Sequence, residues 1–242
     1  MEDDEVDIPV LDGRGRVHGT AGLCDTSLGV WDDAVRLLNP AALRAEAQSA
    51  AWPLAASSFW LAADAAPACA LEALAAAIFK LHAGSAAGRF DPACSGAEWW
   101  ANVSDSASVC RERDGYGKVA LHFDKDEAVY AAAGVFVHPL LATITHLGEE
   151  GAPTLIVPGG QVSAEGEYAA SRLPEAVLVP PRRGRHVRFD GRWLHGVPEA
   201  LCSPKPYRRV TFLTAEPFVL RLRASEGELR RLLGGGEGYL TL

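Results

Sequence analysis

The chain has 242 residues, 48% of them hydrophobic and 22% charged, ordinary values for a globular protein able to bury one sizeable core. A net charge of -8 at pH 7 speaks against a nucleic-acid-binding surface as the main function, and no run reaches the roughly 18 apolar residues that a membrane-spanning helix needs. The acidic start, Met1-Glu-Asp-Asp-Glu-Val-Asp7, is unlike a secretory or organelle-targeting segment, so a soluble cytoplasmic or otherwise intracellular protein is expected.

Residues 1–20 are charged and contain the loop-like Asp12-Gly-Arg-Gly-Arg16, which reads as a tail; Asp12-Gly13 would also suit a hairpin turn. Residues 25–84 are rich in Ala and Leu at helical spacing. The spacing predicts helices over Asp32–Leu38, ended by Asn39-Pro40, over Ala41–Ala51, and over Ala66–Ala83, the last with Pro67 in its first turn and Gly84 as its stop. Composition changes near residue 85. From there short apolar runs alternate with Gly/Pro turns, predicting strands at Glu98–Val103, Gly117–Phe123, Val135–Leu147, Thr154–Val157, Val177–Val179, His186–Phe189, Leu194–Val197 and Tyr207–Ala215. Short strands with no long helix between them indicate an antiparallel sandwich or barrel. Gly159–Pro174 reads as a long loop of the kind often used as a lid, and the tail as a short helix over Glu226–Leu233 before a Gly run. One structural domain is expected, mainly β with N-terminal helices (α+β): supporting helices in 1–92, a β core in 93–224 and a tail in 225–242.

Five widely spaced cysteines, Cys24, Cys69, Cys94, Cys110 and Cys202, form no C-x-x-C, which indicates free thiols rather than a disulfide framework or a zinc site. The chemistry instead gathers around Lys118-Val-Ala-Leu-His-Phe-Asp-Lys-Asp-Glu127. On an extended strand His122 and Asp124 point to the same side, giving two metal ligands with a fixed bite. A third ligand must come from far along the chain, and His195 in Leu194-His-Gly-Val197 is the candidate. Two His and one carboxylate on one face of a metal form the ligand set of non-haem Fe(II) oxygenases. Asp126 shares the parity of His122 and Asp124, but is expected to cap a loop or stand behind the ligands. Downstream, Tyr207-Arg-Arg-Val-Thr-Phe-Leu213 reads as a strong strand whose opening Arg needs an anionic partner, a role a dicarboxylate would fill through a bidentate fork.

The order of these pieces resembles the Fe(II)- and 2-oxoglutarate-dependent dioxygenases, and most closely their prolyl-4-hydroxylase-like branch. The matching stretches are Leu121-His-Phe-Asp124, the strand and Gly-containing turn from Ala142 to Val157, Leu194-His-Gly-Val197, and Arg208-Arg-Val-Thr-Phe212, over roughly residues 95–220. The resemblance implies a double-stranded β-helix (jelly-roll) core, with Fe(II) held by His122, Asp124 and His195. It implies 2-oxoglutarate as cosubstrate, with ascorbate a candidate accessory. The family's carboxylate anchor lies ten to fourteen positions after the distal His, so Arg208 and Arg209 both qualify; an Arg-x-Thr pair matches Arg209 with Thr211. His146 stands where the family often carries a Tyr that bonds the same carboxylate, and could donate that bond, more strongly if protonated. The implied activity is oxidative decarboxylation of 2-oxoglutarate coupled to hydroxylation of a C–H bond, on a protein side chain or a small molecule. No nucleic-acid or membrane partner is implied. The other readings are a jelly-roll binding or scaffold protein without oxygenase activity, and a cupin-like metalloenzyme that does not use 2-oxoglutarate.

Trp99 and Trp100 are adjacent on the first core strand, so one faces inward, and Asn102 shares the parity of Trp100. Trp99 and Asn102 are carried as candidate substrate-binding residues. His138 and His186 read as structural, His18 and His82 as surface residues, and Arg182–Arg188 as a solvated basic turn.

Overall fold

The computed structural model describes residues 25–33, 37, 39–49, 58–83, 92, 95–105, 119–162, 168–169, 175–198, 201 and 206–216. In chain order these form β1 (Gly29–Trp31), α1 (Pro40–Ala47), β2 (Phe59–Ala62), α2 (Ala70–Ala83), β3 (Gly96–Asp105), α3 (Glu127–Ala133), β4 (Leu141–His146) and β5 (Thr154–Val157). There follow β6 (Gln161–Val162), β7 (Tyr168–Ala169), β8 (Val177–Val179), β9 (His186–Asp190), β10 (Leu194–Gly196) and β11 (Arg208–Glu216). The described residues are therefore mostly β, with three helices and wholly antiparallel sheets.

A six-stranded sheet runs in the order β1-β9-β4-β11-β3-β2, and a three-stranded sheet in the order β10-β5-β8. A single bridge between His122 and His195 adds the 119–122 segment to the outer edge of β10. Between the sheets lies a core of Ala142, Ile144, Val187 and Phe189 from the large sheet with Ile156 and Val179 from the small one. The opposite face of the large sheet is covered by helices. There Leu43 of α1 and Leu71, Leu74, Ile78 and Phe79 of α2 pack on Leu61, Ala97, Trp99, Val210 and Phe212. Because both faces of β11 are covered, Val210 and Phe212 point to the helices while Arg209, Thr211 and Leu213 point between the sheets. Phe212 is fully buried against Trp99, with ring centroids 5.7 Å apart. Phe212→Ala should cost about 3–5 kcal/mol, read as a lowered urea midpoint at unchanged slope.

Several expected elements take another form. The Ala-rich section 25–84 holds two strands besides its helices: β2 extends the large sheet beyond β3, and β1 extends it beyond β9. Composition hid them, since each borrows its hydrogen bonds from a neighbour distant in sequence. No helix begins at Asp32, because Asp32 and Asp33 form a bend after β1, with Asp33 at φ 62; residues 34–36 and 38 lie outside the described residues. Asn39-Pro40 starts a helix rather than ending one: the Asn39 side chain accepts from the Ala42 N–H at 3.0 Å, and Pro40 occupies the first turn. The expected Gly117–Phe123 strand is reduced, over its described part, to the bridge at His122. The long strand from Val135 begins only at Leu141. Before it lies α3, capped by Asp126, which accepts from the N–H groups of Ala128 and Val129, and closed by Gly134 at φ 69. The Gly159–Pro174 stretch contains the β6–β7 pair. The helix expected at Glu226–Leu233 lies outside the described residues.

Candidate metal centre

The site begins with the one bridge that joins two distant segments. The His122 N–H donates to the His195 carbonyl at 2.9 Å, and the His195 N–H donates back to the His122 carbonyl at 3.0 Å. Residues that exchange both bonds stand directly opposite one another with side chains on one face. The two imidazole centroids are 4.4 Å apart. Gly196 permits this approach, since a Cβ there would lie 2.7 Å from the Ala120 carbonyl oxygen and 2.9 Å from that of Val119. Any larger residue after His195 would push the 119–122 segment, and His122 with it, away.

Asp124 reaches the same point from two residues further on. Its Oδ1 lies 3.5 Å from His122 Nε2 and 3.6 Å from His195 Nε2. Two donors each about 2.1 Å from one ion are at most about 4.2 Å apart, so both pairs can share an ion. The tautomers agree with this. His122 Nδ1 is 2.8 Å from the Ala120 carbonyl and His195 Nδ1 is 3.0 Å from that of Trp193. A carbonyl only accepts, so each Nδ1 carries the proton and each Nε2 presents a lone pair toward Asp124. Among the described residues this is the one group of three His, Cys, Asp or Glu side chains able to hold a metal ion. The donor set fits a first-row divalent metal with open positions. Asp126 is not part of it, being committed to capping α3.

The charges are matched to one another. Burial would raise the Asp124 pKa, but His195 and His122 outweigh it and hold the carboxyl below its usual range. Burial pulls His122 down, yet Asp124 more than compensates and the net shift is upward. His195 is lowered, because burial there exceeds the pull of Asp124. A metal entering the site would therefore meet an ionised carboxylate.

A second polar cluster lies in the same inter-sheet space. Arg209 is 4% exposed; its guanidinium donates to Thr154 Oγ1 at 2.9 Å and to Thr211 Oγ1 at 3.3 Å. Arg208 points outward and is exposed. His146 pairs in register with Thr211 and so shares its face. It is fully buried, and neither ring nitrogen has a hydrogen-bond partner. Burial, reinforced by Arg209 and Arg185, pushes its pKa down to about 3, so it is neutral at pH 7 and any bond it donates is that of a neutral imidazole rather than a protonated one. The turn after β4 closes over the arginine: Gly151, at φ 112, leaves no room for a Cβ, which would stand 2.6 Å from the Arg209 Cβ.

One strand links the clusters. On β5, Ile156 lies opposite His195, and Thr154, two residues away on the same face, bonds Arg209. Two residues along a strand span about 6.7 Å. Between the clusters the lining is apolar, from Ile144, Ile156 and Leu213, and Phe189 meets the His195 ring edge-on at 4.8 Å.

Trp99 does not reach this space. It packs on the helix-covered face against Phe59 and Phe212, with centroids 4.7 and 5.7 Å away. Asn102 pairs in register with Thr211 and Trp100 with Leu213, so these two half-buried side chains face the inter-sheet side. Thr154 and Gly151 were not singled out from sequence, since only the cross-strand register reveals them.

His82 is likewise not a surface residue. It is buried, its Nε2 lies 2.7 Å from His186 Nε2, and His186 Nδ1 lies 2.8 Å from Thr145 Oγ1. Burial chiefly lowers His82 to about 4 and His186 to about 3. Together with His146, these groups stay neutral in the folded chain while the unfolded chain takes up protons below about pH 6.5. Stability present above pH 6.5 should thus be lost as pH falls toward 4, at roughly 1 kcal/mol per pH unit for each proton. His195 adds to the loss and His122 opposes it. Urea midpoints of metal-free protein measured from pH 7 to pH 4 check this, and a flat profile would contradict it.

No family model matches the chain, and no curated protein matches it. In structure the chain is similar to a Pseudomonas putida prolyl 4-hydroxylase, at 15% identity over 81% of this chain and 89% of that one, with a TM-score of 0.48. It is also similar to the non-heme α-ketoglutarate-dependent epimerase SnoN from nogalamycin biosynthesis, at 17% identity over 89% and 86%, with a TM-score of 0.44. Prolyl 4-hydroxylases from Phytophthora capsici match at 17% identity over 67% of this chain and 47% of theirs, with a TM-score of 0.33.

Proposed function

We propose that the chain is an Fe(II)- and 2-oxoglutarate-dependent oxygenase on a double-stranded β-helix core, hydroxylating a C–H bond of a protein side chain or a small molecule. The observation that carries this reading is the pairing of the His122–Asp124–His195 cluster with the buried Arg209 one strand step away in the same inter-sheet space. The core connectivity supports it: β3, the 119–122 segment, β4, β5, β8, β9, β10 and β11 pass repeatedly between the two sheets.

His122, Asp124 and His195 would hold the iron, which when bound supplies the redox-active centre for O2 activation. The chain's own residues bind and orient the cosubstrate. Ile156 opposite His195 and Thr154 bonded to Arg209 stand on one face of β5, so a dicarboxylate would lie along that face with its oxo acid at the metal and its far carboxylate at Arg209. Arg209 would meet that carboxylate with charge-assisted bonds, and Thr211 and Thr154 place hydroxyls beside it. Neutral His146 would donate one N–H, which removes the cost of leaving it buried without a partner. Ile144, Ile156, Leu213 and Phe189 exclude water between the two ends. Trp100 and Asn102, on the inner face of β3, would border the bound molecules.

The test is anaerobic titration with Fe(II) and then 2-oxoglutarate, followed by O2-dependent release of succinate. The expected result is binding of both and succinate on admission of O2. Metal binding with no effect of 2-oxoglutarate would favour a cupin-like metalloenzyme, and no metal binding would favour a scaffold.

A further inference from the structure

Of the three donors, Asp124 is the least supported by regular structure. His195 sits on β10 and His122 is bridged to it, whereas residues 123–126 belong to no strand or helix. The 124–126 backbone is held from one direction by the segment returning from α3. The Asp126 N–H donates to the Val137 carbonyl at 2.8 Å, and the imidazole of the next residue, His138, places Nδ1 2.7 Å from the Asp124 carbonyl oxygen. That oxygen only accepts, so Nδ1 of His138 carries a proton and donates it. His138 is 3% exposed, and its ring is flanked by Phe136 and Phe123 at centroid distances of 5.8 and 6.4 Å.

The same segment also reaches the other ligand-bearing turn. Pro139 lies so close to Gly191 that a Cβ on Gly191 would stand 2.2 Å from the Pro139 carbonyl oxygen. Gly191 belongs to the turn between β9 and β10, which the buried Asp190–Arg192 pair ties together through bonds of 3.0 and 2.8 Å. That turn ends at Trp193, whose carbonyl fixes the Nδ1 tautomer of His195. His138-Pro139 therefore touches the backbone of one ligand and packs against the turn that orients another.

We propose that His138 is a positioning residue for the metal centre. Its Nδ1–H pins the Asp124 carbonyl, and so fixes where the Asp124 carboxylate stands relative to the two imidazoles. The inference rests on the metal-centre reading above. A residue that only fills the core would act through its ring, whereas this role needs the hydrogen-bond donor. His138→Phe keeps an aromatic ring and removes the donor; His138→Asn restores a donor near the position of Nδ1.

The experiment measures the dissociation constant of Co(II), by anaerobic competition with a chelating indicator, and the Tm of the metal-free protein, for wild type and both variants. His138→Phe should weaken metal binding about 10–100-fold, the usual cost of losing a partner behind a metal ligand. The metal-free Tm should hardly move, and His138→Asn should recover most of the affinity. Wild-type affinity in His138→Phe would overturn the inference. So would equal losses in both variants that track a falling metal-free Tm, or loss of the fold in His138→Phe, since either assigns the residue to packing alone. A wild-type chain that binds no Co(II) would overturn the metal-centre reading itself, a result distinct from the others.

Discussion

Asp124→Ala should yield a folded chain that does not hold a divalent metal. The carboxylate is the anionic donor of the set, and its Oδ1 is the atom that both imidazole Nε2 atoms face, at 3.5 and 3.6 Å. Without it the site offers two neutral nitrogens and no charge to offset the dehydration of a divalent cation. Affinity should fall by more than the roughly 100-fold that losing a hydrogen-bond partner behind a ligand costs at most, and turnover should vanish with it. The fold should survive, because Asp124 belongs to neither hydrophobic cluster. Removing a buried carboxylate also removes its desolvation penalty, which works against the favourable pull of His195 and His122. Asp124→Asn, which keeps the shape, should behave the same way toward metal. It should also lower the His122 pKa, since Asp124 is what raises that imidazole against its own burial. Metal titration, the metal-free Tm and an NMR titration of the His122 ring read these three effects separately. A variant that binds metal as tightly as wild type would remove His122–Asp124–His195 as the metal centre.

The His122–Asp124 half of the candidate metal cluster was legible in the sequence because its spacing is local, whereas His195 is brought to it only by the bridge to His122. Two residues apart on an extended chain means the same side, whatever the rest of the fold does. The glycine after His195 was visible as part of a motif, but its reason, the approach of the Ala120 carbonyl, needed coordinates. Parity alone did not tell which of Trp99 and Trp100 faces the site. In a sheet with one wet face, polarity would decide, but here helices cover one face and the second sheet covers the other, so both read as apolar. The same ambiguity hid β2, whose Phe-Trp-Leu-Ala run lies in a stretch whose Ala content reads as helix. Asp126 shows the converse: its parity matched the ligands, but its side chain satisfies the first N–H groups of a short helix that the spacing did not announce. Thr154 and Gly151 become visible only with register, because each is defined by what it touches on β11, more than fifty residues away.

Arg209→Ala should raise the 2-oxoglutarate requirement about 100-fold or more, whereas Arg208→Ala should change it by no more than about threefold. Hydrogen bonds to a charged group are worth about 1.5–3 kcal/mol each, and a guanidinium fork makes two of them with one carboxylate. Arg209 is buried with its nitrogens between Thr154 and Thr211, while Arg208, on the opposite parity of the same strand, is exposed. Arg209→Lys should fall between the two, because an ammonium keeps the charge but cannot match both oxygens at once. Gly151→Ala supplies an independent check. Its Cβ would press on the Arg209 stem at 2.6 Å, at a backbone φ of 112 that L residues rarely adopt, so it should weaken 2-oxoglutarate binding without removing the guanidinium. The quantity to measure is the anaerobic dissociation constant of 2-oxoglutarate on metal-loaded protein, which separates anchoring from turnover. If the order of Arg208 and Arg209 reversed, the cosubstrate would lie outside the inter-sheet space, and neutral His146 would need another partner. If both variants bound 2-oxoglutarate as wild type does while metal binding stayed intact, the centre would belong to a metalloenzyme that makes no use of this dicarboxylate.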